Sequence, residues 1–138
     1  MKKLAIIAVA VILVLLTACT GKQENQTPQN GPEEEQIREL FEQYQNADGA
    51  VSEGLMAQML EQFAQDPAAF LTALSGTEQE LQDLIADHLG ASLYWEPDQY
   101  KTALQDIDRQ NFGEAQLAVL DKIFFSYDAA YHLFHVDG

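Results

Sequence analysis

The chain has 138 residues, with seven lysines and arginines against 22 aspartates and glutamates, and a formal net charge of −15. This balance excludes an electrostatic footprint for nucleic acid or for an anionic membrane surface. Solubility by itself accounts for the acidic composition. The functional alternative is that the negative charge binds a basic partner or loosely held cations. The single cysteine cannot form a disulfide within the chain, so the hydrophobic core must stabilise the fold.

The first nineteen residues combine a basic start, an apolar run and small residues before the cysteine. Lys2 and Lys3 precede thirteen apolar residues, 4–16, and Thr17 and Ala18 precede Cys19. This order is typical of a secretory signal. The run is shorter than the roughly 20 residues that span a bilayer. Two other interpretations of this segment are a membrane-spanning helix and an ordinary cleaved signal in which the position of Cys19 is incidental.

The segment Leu16-Thr17-Ala18-Cys19 resembles the lipobox of bacterial lipoproteins. The resemblance implies that a signal peptidase cuts after Ala18 and that the Cys19 thiol carries a diacylglycerol. Acyl chains such as palmitate would then hold the exported protein to the outer face of a bacterial membrane. Loss of Lys2 and Lys3 with the signal would shift the formal charge from −15 to −17.

The next segment, 20–33, contains no large apolar residue. It cannot bury enough surface to offset its ordering entropy, so we predict a flexible tether. As a random coil it would span roughly 20 Å. The expected organisation is a signal peptide at 1–18, a lipidated cysteine with its tether at 19–33, and a helical domain at 34–138.

Helical periodicity begins after the tether, and capping and helix-breaking residues indicate where the helices begin and end. The first predicted helix ends at Asn46–Gly49, and Ser52 is expected to cap the second. Asp66, followed by proline, predicts a third helix start, with the carboxylate as the cap. Thr77 and Glu80 fit the capping box of a fourth helix. The first apolar stripe comprises Ile37, Leu40, Phe41 and Tyr44.

The second half of the domain contains two further predicted helices, at 97–110 and 114–134. Gly90 is expected to end the fourth helix, which would leave 91–96 as a connection. The last helix carries a broad stripe that predicts a central position in the fold and the stability centre. The seam of that helix consists of Leu117, Leu120, Phe124, Tyr127, Tyr131 and Phe134.

No segment shows sustained period-two alternation, so the predicted fold class is all-α. We expect a compact bundle of about six short amphipathic helices, with short loops favouring antiparallel neighbours. Met56 and Met59 are assigned to its core. The stretch 60–74 faintly resembles the helical pairs of HEAT-like solenoids. Because no period repeats, the compact bundle is preferred.

The C-terminal end holds the densest set of possible metal ligands. Asp128, His132 and His135 are spaced to share one helix face, with Asp137 nearby, and such a set could bind Zn²⁺. Aromatic packing and the negative end of the helix dipole are the ordinary explanation for these histidines and for His88. No nucleophile motif or phosphate-binding loop is present. We therefore predict a non-enzymatic protein without a cofactor.

Tyr94 and Trp95 lie in the predicted connection, where aromatic residues are favoured partner contacts. For Trp95 itself, the more ordinary expectation is that it plugs the top of the bundle. The favoured function is a membrane-anchored lipoprotein, held through the lipid on Cys19. Its non-catalytic helical domain would contact an unidentified protein partner at the cell envelope, without nucleic acid. The alternative is a metal- or small-ligand-binding lipoprotein that uses the C-terminal His/Asp cluster.

Overall fold

The structure, a computed structural model, describes residues 32–135, and Cys19 with its lipobox lies outside them. Within that range the chain forms six α-helices and no strand, which confirms the all-α prediction. None of the described helices is long and apolar enough to cross a membrane. The helices are α1 (Pro32–Gln45), α2 (Gly49–Gln65), α3 (Pro67–Ser75), α4 (Gln79–Trp95), α5 (Asp98–Gln105) and α6 (Glu114–His135), with a 3₁₀ turn at Arg109–Asn111.

The predicted cap of α3 is present. The Asp66 carboxylate accepts a hydrogen bond from the Ala69 N–H at 2.9 Å, and Pro67 is the first helical residue. The predicted Ser52 cap is wrong, because α2 already begins at Gly49, whose φ of 52° is accessible to glycine. The Ser52 hydroxyl instead donates to the Gly49 carbonyl at 2.8 Å.

The capping box predicted at the start of α4 is also wrong. Glu78 is the N-cap of α4, and its side chain makes no capping hydrogen bond. The Thr77 hydroxyl donates to the Leu74 carbonyl at 2.8 Å. The Gln82 amide donates to the carbonyls of Ser75 and Thr77. The polar side chains of this turn therefore satisfy the carbonyls that end α3, and this use competes with capping of α4.

Three phenylalanines join the first three helices in the core. Phe70 lies edge-on to Phe41 at 5.1 Å and to Phe63 at 5.4 Å between ring centroids. All three side chains are fully buried. Met56 and Met59 are also buried, which confirms their assignment to the core.

Helices α4 and α6 pack against each other and run in the same direction. Lys122 pairs with Asp83, and one turn further along the Ser126 hydroxyl donates to Asp87 at 2.7 Å. Residue numbers on the two helices thus rise together. This parallel pair departs from the antiparallel packing expected of helices joined by short loops. The reason is that α5 and the 3₁₀ turn return the chain to the start of α4 before α6 begins.

Gly90 lies inside α4, so the prediction that it ends the helix is wrong. A Cβ atom at this position would lie 2.4 Å from the carbonyl oxygen of Ile123 and 2.8 Å from the Cβ of Ser126. Glycine therefore permits the close approach of the α4 and α6 backbones. Because α4 continues to Trp95, Tyr94 and Trp95 belong to its last turn rather than to a connection.

The apolar seam predicted for α6 is buried over only part of its length. Leu120 is fully buried, and Phe124 is partly buried. Tyr131 and Phe134 are 45 % and 57 % exposed, so the final turns of α6 are not a core element. The reason is that α4, which packs against α6, ends at the level of these last turns and therefore does not cover them. The buried line of α6 consists of Val119, Leu120, Ile123, Ser126 and Ala130.

Candidate functional site

Five rings meet where α4 and α6 end side by side, and we call them the aromatic cluster: Tyr94, Trp95, Tyr131, Phe134 and His135. Tyr94 is their common neighbour. Its ring centroid lies 4.7 Å from that of Trp95, and 5.6 Å from those of both Phe134 and His135. The last turns of two helices thus supply one continuous group of rings.

A hydrogen bond ties the two helices together inside the aromatic cluster. The Tyr94 hydroxyl lies 2.9 Å from Nδ1 of His135. The His135 ring in turn stacks on Tyr131, with centroids 4.2 Å apart and planes inclined by 13°. These contacts restrict the rotamers of the inner rings. The aromatic cluster is therefore preorganised rather than assembled on binding.

Trp95 and Phe134 are exposed members of the aromatic cluster, as are Tyr131 and His135. Trp95 is 66 % exposed, so the expectation that it plugs the bundle is wrong. Its ring lies 4.7 Å from Phe134, at an interplanar angle of 64°. Leu133 beside them is 75 % exposed. Exposed apolar groups gathered in one place, unlike single ones, mark interaction surfaces.

Charged side chains lie toward both ends of the α4–α6 pair. Arg109 pairs with Asp121 at 2.6 Å, and Lys122 pairs with Asp83, both toward the starts of these helices. The end that holds the aromatic cluster carries Glu96 directly after Trp95 and the exposed Asp128. The C-terminus of α4 also lies there and contributes roughly half a negative charge. Lys101, paired with Asp98 at 3.7 Å, follows on α5, and the first turn of α1 carries Glu33, Glu34 and Glu35. Negative charge is therefore spread over the domain rather than gathered at the aromatic cluster.

The predicted metal ligands are not gathered into a metal site. Within 32–135, no three His, Cys, Asp or Glu side chains are grouped so that they could hold an ion. His135 is engaged with Tyr94, and His132 lies edge-on to Tyr131 at 5.9 Å. Asp128 is exposed, and Asp137 lies outside the described residues. The metal-site hypothesis gains no support from this geometry.

His88 has a role other than the helix-end cap expected for it. Because α4 extends to Trp95, His88 lies well inside the helix. Its Nδ1 is 2.7 Å from the Tyr44 hydroxyl, and the rings meet edge to face at 5.8 Å. Burial raises the pKa of the Tyr44 hydroxyl above its usual value. This pair joins α1 to α4, so we assign it a structural role.

A further exposed aromatic residue, Phe125, borders a surface pocket of about 360 Å³ between α4 and α6. Phe125 is 76 % exposed. The polar groups of the pocket have partners, and Asp121 pairs with Arg109 outside the pocket. Lys122 pairs with Asp83, and Ser126 donates to Asp87. The hydrogen bond from Lys122 holds the pKa of the Asp83 carboxyl below its usual value. We therefore treat this pocket as part of the helix–helix contact.

The chain enters the described domain at the end opposite the aromatic cluster. The Arg38 guanidinium lies beside Gly76, just before α4, whereas Tyr44 reaches His88 further along it. Helix α1 therefore runs in the same direction as α4, and Pro32 precedes Arg38 by six residues. At 1.5 Å per residue, the length of α4 separates the two ends by on the order of 20 Å.

Comparison with known proteins finds no matching family model, no matching curated protein and no matching solved structure.

Proposed function

We propose that the chain is a membrane-anchored bacterial lipoprotein whose non-catalytic helical domain contacts a protein partner at the cell envelope. The contact surface in this proposal is the aromatic cluster. The observation that carries it is the exposure of Trp95 and Phe134 on a preorganised support. The anchor rests on the resemblance of Leu16-Thr17-Ala18-Cys19 to a lipobox.

The composition and rigidity of the aromatic cluster support a protein contact. Tryptophan and tyrosine are enriched among the residues that dominate interface energetics. Large rings supply contact area with few rotatable bonds, and Tyr94 is already fixed by His135. Little side-chain entropy would be lost when a partner covers Trp95 and Phe134.

The position of the aromatic cluster supports a contact away from the anchor. The tether would attach at Pro32, and the aromatic cluster lies at the other end of the domain, on the order of 20 Å along α4. A lipid on Cys19 would keep the Pro32 end near the bilayer, and the predicted flexible tether would let the domain turn. The exposed rings would then be free to meet an envelope component.

The ring contacts of the histidines support a non-catalytic domain. His88 and His135 each lie within hydrogen-bond distance of a tyrosine hydroxyl that joins two helices. Both imidazoles are therefore occupied in helix packing rather than placed beside a nucleophile. No observation favours the alternative of a metal- or small-ligand-binding lipoprotein.

Replacement of Cys19 by alanine is expected to abolish lipidation and processing, because the thiol is the group that lipobox chemistry modifies. Two acyl chains bind a membrane stably and one only marginally. The unprocessed variant should therefore differ from the wild type in mass and in fatty-acid content. Metabolic labelling with a radioactive fatty acid measures this, and a Cys19→Ala protein that still incorporates label contradicts the anchor.

A photo-crosslinking amino acid placed at position 95 is expected to give a discrete adduct with one envelope protein in intact cells. The same amino acid at Phe125 is the matched control, because Phe125 is more exposed than Trp95 but lies away from the aromatic cluster. Adducts are read by electrophoresis and mass spectrometry. Equal adduct patterns at positions 95 and 125, or none at 95, would refute the aromatic cluster as the contact surface.

A further inference from the structure

We propose that residues 97–112, which we call the strap, open as one unit while α1–α4 and α6 stay packed. The strap contains α5 and the 3₁₀ turn, and it connects the end of α4 to the start of α6. Its opening gives the domain a second conformation, and this inference does not depend on the proposed function. Three properties carry it: the weak attachment of the strap, the extended backbone at both of its ends, and the contacts that hold α6 in place without it.

Few buried side chains attach the strap to the rest of the domain. Helix α5 packs against α2 and α4, but Leu104 is its only buried residue, and the 3₁₀ turn has none. Tyr100 and Ile107 are partly buried against the core. Most of the remaining strap residues are exposed. A segment with few buried apolar contacts and an exposed backbone opens at a lower free energy than the whole domain unfolds.

The polar contacts of the strap add little to its attachment. Arg109 pairs with Asp121 of α6, but 47 % and 62 % of the two side chains are exposed, and exposed ion pairs contribute little stability. Lys101 pairs with Asp98, which lies within the strap itself. Helix α5 has eight residues and no side-chain cap at its start, and so short a helix is not stable without packing. Leu104 and its partly buried neighbours therefore hold the strap closed.

Both ends of the strap have extended backbone that can act as a hinge. Glu96 has φ −81° and ψ 161°, and Pro97 has φ −54° and ψ 152°. At the other end, Phe112 has φ −116° and ψ 145°, and Gly113 separates it from α6. Hinges are a few residues at the ends of elements that absorb changes in φ and ψ. Rotation at these residues moves the strap without unwinding α4 or α6.

Contacts that do not involve the strap hold α6 in place. Beyond one end of the strap, the Tyr94 hydroxyl of α4 lies 2.9 Å from Nδ1 of His135. Near the other end, the side-chain amide of Gln116 donates to the Thr72 hydroxyl of α3 at 2.8 Å. Between these two points, the α4 backbone at Gly90 lies close to the backbone of α6. Helix α6 therefore keeps its neighbours when the strap opens.

Opening of the strap has a consequence for the aromatic cluster. It uncovers the surfaces of α2 and α4 against which α5 packs. The strap begins two residues after Trp95, so its position also sets the course of the chain beside the aromatic cluster. A partner that binds one of two states more tightly shifts the equilibrium toward that state. The strap therefore supplies a second state through which binding at the aromatic cluster can be controlled.

Trypsin tests the opening, because it cuts after lysine and arginine in segments that have opened. Within 32–135 these residues are Arg38, Lys101, Arg109 and Lys122, and the middle two lie in the strap. The mature full-length protein, in a non-ionic detergent, is treated with dilute trypsin, and the fragments are identified by mass spectrometry. Lys101 and Arg109 are expected to be cut first, and the large fragments should elute together in size-exclusion chromatography. Cleavage that starts at Arg38 or Lys122, that is confined to Arg109, or that separates the large fragments would overturn the inference.

Native-state hydrogen exchange, resolved by nuclear magnetic resonance, shows whether the strap opens separately from the whole domain. Ile37→Val removes one methylene from the buried face of α1, which stays packed when the strap opens. It should accelerate exchange of the slowest α4 amides about 2- to 10-fold and leave the strap amides unchanged. Leu104→Val is the matched variant and should accelerate the strap amides about 4-fold or more. If Ile37→Val accelerates the strap and α4 amides equally, the strap opens only on global unfolding, and the inference is overturned.

Discussion

Replacement of Phe70 by alanine is expected to unfold the domain or to lower its melting temperature by more than about 15 °C. Phe70 is fully buried and lies edge-on to both Phe41 and Phe63. A buried Phe→Ala change costs about 3–5 kcal/mol, and each aromatic pair adds about 0.5–1.5 kcal/mol. A domain of this size has roughly 5–15 kcal/mol of stability in total. Thermal melting followed by circular dichroism measures the loss.

Phe124→Ala is the matched comparison for this prediction. Phe124 belongs to the seam predicted as the stability centre, but it is only partly buried against the core. Its replacement should therefore cost distinctly less than that of Phe70. If Phe124→Ala melts lower than Phe70→Ala, the centre of stability lies in α6 after all, as the sequence pattern alone indicated.

Replacement of Gly90 by alanine is expected to destabilise the domain by up to about 2 kcal/mol, although alanine is the better helix former. A methyl group there would lie 2.4 Å from the Ile123 carbonyl oxygen and 3.0 Å from the Tyr127 nitrogen. Both are backbone atoms of α6, so only separation of the two helices relieves the overlap. Overpacking costs about 1–3 kcal/mol and sometimes more, against roughly 1 kcal/mol gained from helix propensity. Urea denaturation gives the net value.

Gly54→Ala provides a control with the opposite expected sign. Gly54 also lies within a helix, α2, but a Cβ atom there meets no other atom within 4 Å. Alanine should therefore stabilise the domain by about 0.5–1 kcal/mol through helix propensity. A Gly90→Ala protein as stable as Gly54→Ala would show that α4 and α6 do not approach as closely as described.

Local chemistry made much of the fold predictable from the sequence. The Asp66-Pro67 start of α3 is present because its cap depends on a few adjacent residues. The bounds of α6 differ from the prediction by one residue, since a long apolar period is a strong signal. The caps at Ser52 and Thr77 were predicted wrongly. There, neighbouring carbonyls compete for the same hydroxyl, and short motifs do not reveal which acceptor wins.

The non-local features were not predictable in the same way. Gly90 has the same local signature whether it ends a helix or admits a neighbouring backbone. The choice depends on α6, more than thirty residues away. The period of α6 likewise shows which residues share a face but not where the partner helix stops. The period therefore places Phe134 and Tyr131 in the core, although they lie at the surface.

The sequence indicates Tyr94 and Trp95 as candidate contacts for a reason that is wrong. It places them in a connection, whereas they occupy the last turn of α4. Their contact with Phe134 and His135 comes from the parallel packing of α4 and α6. Aromatic residues concentrated in the final turn of two separate segments were the signal available in the sequence.

The parallel arrangement of α4 and α6 has a consequence for how the chain folds. Asp83 and Lys122, like Asp87 and Ser126, are separated by 39 residues, so no local turn can bring them together. Forming a non-local contact first costs the conformational entropy of closing the intervening loop. Such contacts therefore slow folding. A chain made from its N-terminus completes α1–α3 while α6 is still missing. The apolar face of α4 therefore stays uncovered until the C-terminal segment has emerged, and during that interval the nascent domain is most exposed to aggregation and proteolysis.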